Sequence, residues 1–375
     1  MAAPLNIRQI NRRAILDVLL RTHTSTRSDL ARATGLSQPT AGKIVDDLLA
    51  EGVLEPAATL PSAVARMGRP GHDLTLNRAK PHFLAIQLGV VHTRLAALPV
   101  APPEKDEWDQ ELKTADTMHG WLKSTAAAAR KLLTPSMKSL LLSIPGLLDE
   151  TTGRSILSPN LRWLEGQIVT AGLQERLGLP VFAVQELRCL ALGHYAIDRD
   201  ADSFLLVDFG NGVGSAPIVH GHLLHHELPF SGELGHTPVL GNTRKCGCGG
   251  VGCLETLIRR EQLLGTLGID GNDWHEKWTR FLLKLKPGEL PPRFKDALQA
   301  AALGIAGALN VLGINRVVIT GYLSELPDQA MRSFSDAIEK AAVAGRFGTV
   351  QTLAAPRRRL AGLARVGIDR VIAPV

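Results

Sequence analysis

Residues Ser231 to Glu255 read S-G-E-L-G-H-T-P-V-L-G-N-T-R-K-C-G-C-G-G-V-G-C-L-E and hold three of the four cysteines of the chain. The cysteines are spaced Cys246-x-Cys248-x4-Cys253, and His236 stands ten residues before the first. Thiolates and an imidazole nitrogen are the ligands zinc takes in closed tetrahedral sites, and three Cys with one His is a common structural set. The intervening Gly247, Gly249, Gly250 and Gly252 let a short loop fold back so that the sulfurs converge. Cys246 and Cys248 are too close in sequence to pair comfortably as a disulfide. Buried, unrelated thiols would not need a His at loop spacing. The stretch therefore predicts a structural Zn²⁺ site with His236, Cys246, Cys248 and Cys253 as ligands.

Outward from this loop, composition sets the bounds. A chain of 375 residues with 45% hydrophobic content can bury substantial cores, and its length favours two or three domains. Charged residues are 21% of the total, below the level of a disordered chain. No apolar run is long enough to span a membrane; Ala300 to Leu309, at about ten residues, is among the longest. The N-terminus lacks the order of a signal peptide, because Arg8, Arg12 and Arg13 lead into an amphipathic pattern. Few cysteines, most of them assigned to zinc, fit a reducing cytoplasm.

Residues 1–80 carry 11 Lys or Arg and 7 Asp or Glu, so most of the net charge of +6 lies in a fifth of the length. Ile7, Ile10, Ala14, Ile15, Val18 and Leu19 recur at helical spacing. A second helix is predicted over Arg27 to Thr34, capped by Ser25 or Thr26. Gly35-Leu36-Ser37 then turns into a third, Gln38 to Glu51, capped by Ser37. Helix, Gly-containing turn and helix form the helix-turn-helix arrangement. Leu30, Ala31, Leu36, Ala41, Ile44, Val45 and Leu48 would pack the helices together. Gln38, Pro39, Thr40 and Lys43 would face outward, where Gln reads adenine, Thr meets a thymine methyl, and Lys takes a phosphate or guanine. Pro39 suits a first helical turn. Val53–Glu55 and His72–Leu76 read as short strands around a wing, R-M-G-R-P-G, that would place Arg69 in a narrow minor groove. A mere helical interaction module would not need turn, cap and wing together.

From residue 81 the chain alternates apolar strands with helical patterns, the mark of an α/β fold. Strands are predicted at Phe83–Gly89, Thr93–Pro99, Ser139–Gly146 and Pro180–Val184. A second α/β lobe is expected from about Ser203, with a helix around Phe294–Leu312 and a strand at Arg316–Gly321. The basic segment Arg357 to Arg370 is expected to return to the first lobe as a helix with a solvated arginine face.

The sequence Glu233-x-Gly235-His236 followed by C-x-C-G-x-x-G-C-x-E resembles the signature of the ROK family, which groups sugar-responsive repressors with sugar kinases. The resemblance implies an N-terminal winged helix-turn-helix followed by a two-lobed, actin-like ATPase domain of the ROK sugar-kinase type. The boundaries it suggests are 1–80 for the DNA-binding head and 81–200 for the first lobe, to which a helix within 357–375 returns. The second lobe, with the zinc loop, would span 201–356. By position, Glu233, His236 and Glu255 would contact a sugar in a cleft between the lobes. Asn160, in a family-like P-N-L-x-W segment, would lie near them. Gln185-Glu186 stands where the family has Asn-Asp, the Asp being the base for the sugar hydroxyl. Each replacement adds a methylene, roughly 1.5 Å of reach. That displacement would impair catalysis, and it either changes which sugar binds or removes binding.

The family's kinase motifs fare worse. The opening D-x-G-x-T appears as Gln87-Leu88-Gly89-Val90-Val91, without the carboxylate that serves metal and phosphoryl group. Gly210-Asn211-Gly212-Val213-Gly214 keeps the glycines of the second phosphate loop, and the adenosine segment is reduced to Thr320-Gly321-Tyr322. The reading is a cytoplasmic DNA-binding regulator and not an enzyme, most simply a repressor of carbohydrate genes. Its partners would be a double-stranded operator, a sugar or sugar-phosphate effector, and a second or further copies as homodimer or homotetramer. A ROK sugar kinase with a DNA-binding head and a ligand-blind regulator are the alternatives.

Overall fold

Apolar residues on one face wind Ile7–Thr22 into helix α1, which buries Ile15, Leu16, Val18, Leu19 and Leu20. The computed structural model describes residues 7–57, 73–198, 202–224, 230–266, 269, 273–285 and 290–374. Thr26, rather than Ser25, caps α2 (Arg27–Thr34) by accepting the Asp29 amide, and Gly35 ends it at φ 69°. Ser37 caps α3 (Gln38–Ala50) by accepting the Thr40 amide. Leu30, Ala31, Ala41, Ile44, Val45 and Leu48 are buried as expected, while Leu36 is half-buried. Strands β1 (Leu54–Pro56) and β2 (Leu74–Leu76) pair antiparallel, Leu54 opposite Leu76. The wing residues between them, Arg69 included, lie outside the described residues.

The chain divides into two compact units. The first comprises Met1–Leu157, Trp163–Arg199 and Arg358–Val375, and the second Ser158–Arg162 and Asp200–Arg357. The head expected at 1–80 and the lobe expected at 81–200 thus share one unit.

In the first unit, β3 (Pro81–Leu88), β4 (His92–Pro99) and β5 (Gln110–Lys113) form an antiparallel meander. Helix α4 (Met118–Leu132) packs on β4, and β6 (Ser139–Ile144) joins β3 in parallel. A small hairpin follows, β7 (Leu147–Asp149) and β8 (Arg154–Leu157), then α5 (Val169–Leu177). Strand β9 (Val181–Gln185) closes the sheet and runs straight into α6 (Glu186–Ile197). The sheet order is β5-β4-β3-β6-β9. Strand β6 is buried along its whole length, which is why Leu140, Leu141 and Leu142 run together rather than alternating with polar residues.

The second unit repeats this order with β10 (Phe204–Phe209), β11 (Val213–Val219), β12 (His222–Leu223), β13 (Arg316–Gly321) and β14 (Gln351–Ala354), arranged β12-β11-β10-β13-β14. Its helices are α7 (Glu255–Ile258), α8 (Arg260–Thr266), α9 (Trp274–Lys284), α10 (Pro292–Leu312) and α11 (Asp328–Ala341). Phe209, Trp278, Phe281, Phe294 and Phe334 anchor its core. An antiparallel meander extended by two parallel strands, present twice, is the duplicated actin-like arrangement anticipated from the sequence.

Finally, α12 (Arg359–Gly367) packs on α6, β3 and β6, and a π-helical turn, Ile368–Ile372, follows it. The segment does return to the first unit, but its arginines are not a solvated face. Arg359 and Arg365 are only 8% and 7% exposed, because carboxylates of α6 and α1 receive them. Among the described residues no helix is long and apolar enough to cross a membrane.

Candidate metal centre, ligand residues and DNA interface

The loop that opened the sequence reading folds as a tight knuckle. Cys246 and Gly250 pair backbone to backbone, and bridges join Lys245 to Val251 and Pro238 to Cys253. These contacts bring one ligand atom from each of His236, Cys246, Cys248 and Cys253 within 4.8 Å of one another. Cys248 Sγ lies 3.8 Å from Cys253 Sγ, and Cys246 Sγ lies 3.5 Å from His236 Nδ1. A tetrahedron with Zn–S of about 2.3 Å and Zn–N of about 2.0 Å has S···S edges of about 3.8 Å and S···N edges of about 3.5 Å. The donor set and its spacing therefore fit zinc, and all three thiols are free of disulfides. Burial and the neighbouring thiols push Cys253 up to about 12. A divalent cation reverses that balance by ligating the thiolate.

With Nδ1 turned toward the sulfurs, the other imidazole nitrogen, Nε2, lies 3.5 Å from Glu233 Oε2. Burial raises the Glu233 carboxyl above its ordinary range; His236 pulls it back and Glu255 raises it again. Glu255 opens α7 two residues after Cys253, and its Oε2 accepts the Val213 amide at 2.9 Å. Asn160 is exposed, on the segment Ser158–Arg162, which Arg162 ties to the loop by donating to the Gly247 carbonyl at 3.2 Å. Two side chains that sequence reasoning missed brace the knuckle. Asn242 donates to the Cys253 carbonyl and to Thr256 Oγ1, and Arg244 donates to the Thr256 carbonyl. Their position inside the motif was the only signal for them.

In the first unit, Gln185 ends β9 and is 4% exposed, and its backbone N–H donates to Glu150 Oε1 at 3.1 Å. Glu186 begins α6 and accepts from Arg359 Nε at 2.8 Å and Nη2 at 2.6 Å. It is a half-buried, paired carboxylate. Gln87 Nε2 approaches it at 3.4 Å, while Gln87 Oε1 is buried without a hydrogen-bond partner among the described residues.

At the corresponding place in the second unit, Asp208 accepts from Arg357 Nε at 2.7 Å, from Arg357 Nη2 at 2.8 Å and from Thr320 at 2.8 Å. This ion pair flanks the Gly210-Asn211-Gly212 turn. The Val213 amide of the same loop already serves Glu255. Arg260 stacks on Trp274 at 3.9 Å, and burial, then the Arg357 charge, push it down to about 10. Neither arginine was singled out from sequence.

On the head, Ser37, Gln38, Pro39, Thr40 and Lys43 all lie on the exposed side of α3. Ser37 Oγ and Thr40 Oγ1 are 2.8 Å apart. The acids of α3 are matched by neighbouring arginines, Asp46 by Arg27 at 2.7 Å and Asp47 by Arg8 at 2.8 Å. Those pairings lower the repulsion that carboxylates beside a polyanion would create.

Comparison with known proteins separates the head from the rest of the chain. A profile described as winged helix-turn-helix DNA-binding matches residues 8–55, and the ROK family profile matches residues 83–363. The chain is 21% identical over 365 residues to the xylose repressor of Caldicellulosiruptor bescii, covering 91% of this chain and 90% of that protein. It is 23% identical over 273 residues to the xylose repressor of Bacillus subtilis, covering 70% and 68%. A crystal structure of a ROK family transcriptional regulator, a homolog of the E. coli Mlc protein, superposes with a TM-score of 0.71 at 20% identity, covering 96% of both chains. That likeness establishes the fold.

Proposed function

The chain belongs to the ROK family, and from that premise we propose that it is a cytoplasmic, sugar-responsive transcriptional repressor of carbohydrate genes. Its head would read an operator through Gln38, Pro39, Thr40 and Lys43, with Arg69 in the minor groove and the Ser37 cap fixing the helix start. Two protomers would address half-sites about one helical turn, or a multiple, apart. A sugar or sugar phosphate would donate its hydroxyls to the carboxylates of Glu233 and Glu255 and exchange hydrogen bonds with His236 and Asn160 in the second unit, and would meet Gln185 and Glu186 of the first. A structural zinc on His236, Cys246, Cys248 and Cys253 would supply rigidity, turning His236 so that Nε2 and Glu233 present one fixed polar edge.

The observation that carries the proposal is the presence, in one chain, of a capped and exposed recognition helix together with that His236–Glu233 edge beside a four-ligand cluster. Against a kinase stand Gln87 in place of a carboxylate and the Asp208 carboxylate already engaged by Arg357. Against a ligand-blind regulator stands the buried Gln87 Oε1 beside Glu186, which has no hydrogen-bond partner among the described residues and is an acceptor that a sugar hydroxyl could satisfy.

The test is footprinting of the region upstream of its own gene at fixed salt, paired with ATP turnover over D-xylose, D-glucose and N-acetylated hexoses. A protected pseudo-palindrome that Lys43→Ala weakens, with no sugar-dependent ATP turnover, is the expected result. Turnover with any of these sugars, or protection indifferent to Lys43, would overturn the reading.

A further inference from the structure

Among the described residues, the buried Lys or Arg side chains are Arg12, Arg359 and Arg365. Two of the three sit on α12. At the start of that helix Arg359 grips Glu186 with two hydrogen bonds. One and a half turns later Arg365 reaches α1 of the head, 2.9 Å from Asp17 Oδ1. The π-helical turn then presents Asp369 to Arg13 of α1 and Arg370 to Glu150 at 2.6 Å. Glu150 is also the acceptor of the Gln185 amide. The pair Gln185–Glu186 is thus held by this segment directly through Glu186 and indirectly through Glu150, and the same segment is attached twice to α1.

The span between the attachments is stiff. Helices α6 and α12 cross with backbones in contact: a Cβ on Gly362 would stand 1.9 Å from the Cys189 carbonyl oxygen, and one on Gly193 1.9 Å from that of Arg358. A Cβ on Gly367 would meet the Phe83 ring of β3 at 2.5 Å. Such a crossing cannot slide in small steps, so a change at either end moves the segment as a body. Single turns of π-helix recur at functional positions, and here the turn is what presents Asp369 and Arg370 to different elements.

We infer that α12 and its π-helical turn are the lever that couples the Gln185–Glu186 pair to the DNA-binding head. A ligand hydroxyl donating to Glu186 competes with Arg359 for the same carboxylate oxygen, and the charge-assisted bonds it displaces are strong and directional. Loosening Arg359 frees the start of α12, and the Arg365–Asp17 and Asp369–Arg13 contacts carry that change into α1. Spatial adjacency alone would not establish coupling, so the test is a double-mutant cycle. The inference rests on the regulator reading for its purpose, but the coupling itself needs neither DNA nor sugar to be measured.

Amide hydrogen exchange would be followed on the full-length chain as wild type, Glu186→Gln, Asp369→Asn and the double variant. Glu186→Gln is expected to speed exchange about threefold or more in residues 359–367 and in residues 7–22, local opening being what exchange reports. In the Asp369→Asn background the increase at 359–367 should persist and the additional increase at 7–22 should shrink; with Asp17→Asn added, which removes the Arg365 contact as well, it should vanish. Arg13→Met combined with Asp17→Asn serves as a second interruption of both contacts should that variant fail to unfold cooperatively. Unchanged exchange at 7–22 in Glu186→Gln, or an increase there that survives both interruptions, would overturn the lever. Failure to bind any operator would sink the regulator reading and leave this result standing.

Discussion

The two units share a strand order and differ in how they hold their polar residues. In the first, Gln87 lies at the end of β3 and Glu186 beside it, secured by Arg359 from a distant helix. In the second, Asp208 lies at the matching end of β10, secured by Arg357. Both arginines come from one three-residue stretch, where the chain passes from the second unit to the first. Beyond that likeness the second unit draws its fixed ligand residues from a single loop, with four metal-type ligands between His236 and Cys253. The first relies on pairs separated by 173, 220 and 348 residues. One site is locally built and the other exists only once the whole unit has folded.

Removing the metal should separate the two most sharply. Structural zinc contributes about 10 kcal/mol or more to small sites. Cys253→Ala is therefore expected to lose one bound zinc per chain and to melt the loop, while the first unit unfolds at its original temperature. Calorimetry beside elemental analysis checks this, and a single transition shifted as a whole would erase the contrast.

The next effect belongs to the first unit. Arg365→Ala removes the buried partner of Asp17, which keeps Arg13 and contact with solvent, and should cost about 2 kcal/mol, read as a lower urea midpoint at unchanged slope. The second unit's metal content should not change.

The smallest effect is a pH dependence. His82 is fully buried, each ring nitrogen facing a carbonyl, those of Lys80 and Glu51, and burial holds its pKa below the ordinary 6.5. The unfolded chain therefore takes up the proton first as pH falls, so stability declines below about pH 6.5. His82→Gln should flatten that decline between pH 7 and 5 in denaturant titrations, with no change above pH 7.

These contrasts also explain what could be read from the sequence. Helix Arg27–Thr34 and strand Arg316–Gly321 fall where they were expected, because caps, glycines and apolar runs are local signals. The cluster of His236, Cys246, Cys248 and Cys253 was legible for the same reason, its members and spacing lying in one stretch. The arginines of the C-terminal helix were expected in solvent, since a basic helix shows no trace of the carboxylates that will meet it from α1 and α6. Glu186 could not be told from a surface residue until Arg359 stood against it. Asn242 and Arg244 were hidden by function-neutral chemistry, their task being to brace backbone carbonyls. Arg69 and its wing lie outside the described residues.

One titration tests the central claim most directly. A fluorescent duplex carrying the upstream region would be bound at one fixed salt concentration, since phosphate contacts make affinity steeply salt-dependent, and then titrated with D-xylose, D-glucose and their phosphates. The account predicts that one of these shifts the affinity of the wild type by about 5-fold or more, a typical coupling between two sites. Glu233→Gln should bind the duplex equally well and lose the shift. A shift that persists undiminished in Glu233→Gln, or a duplex no better bound than unrelated DNA, would contradict it.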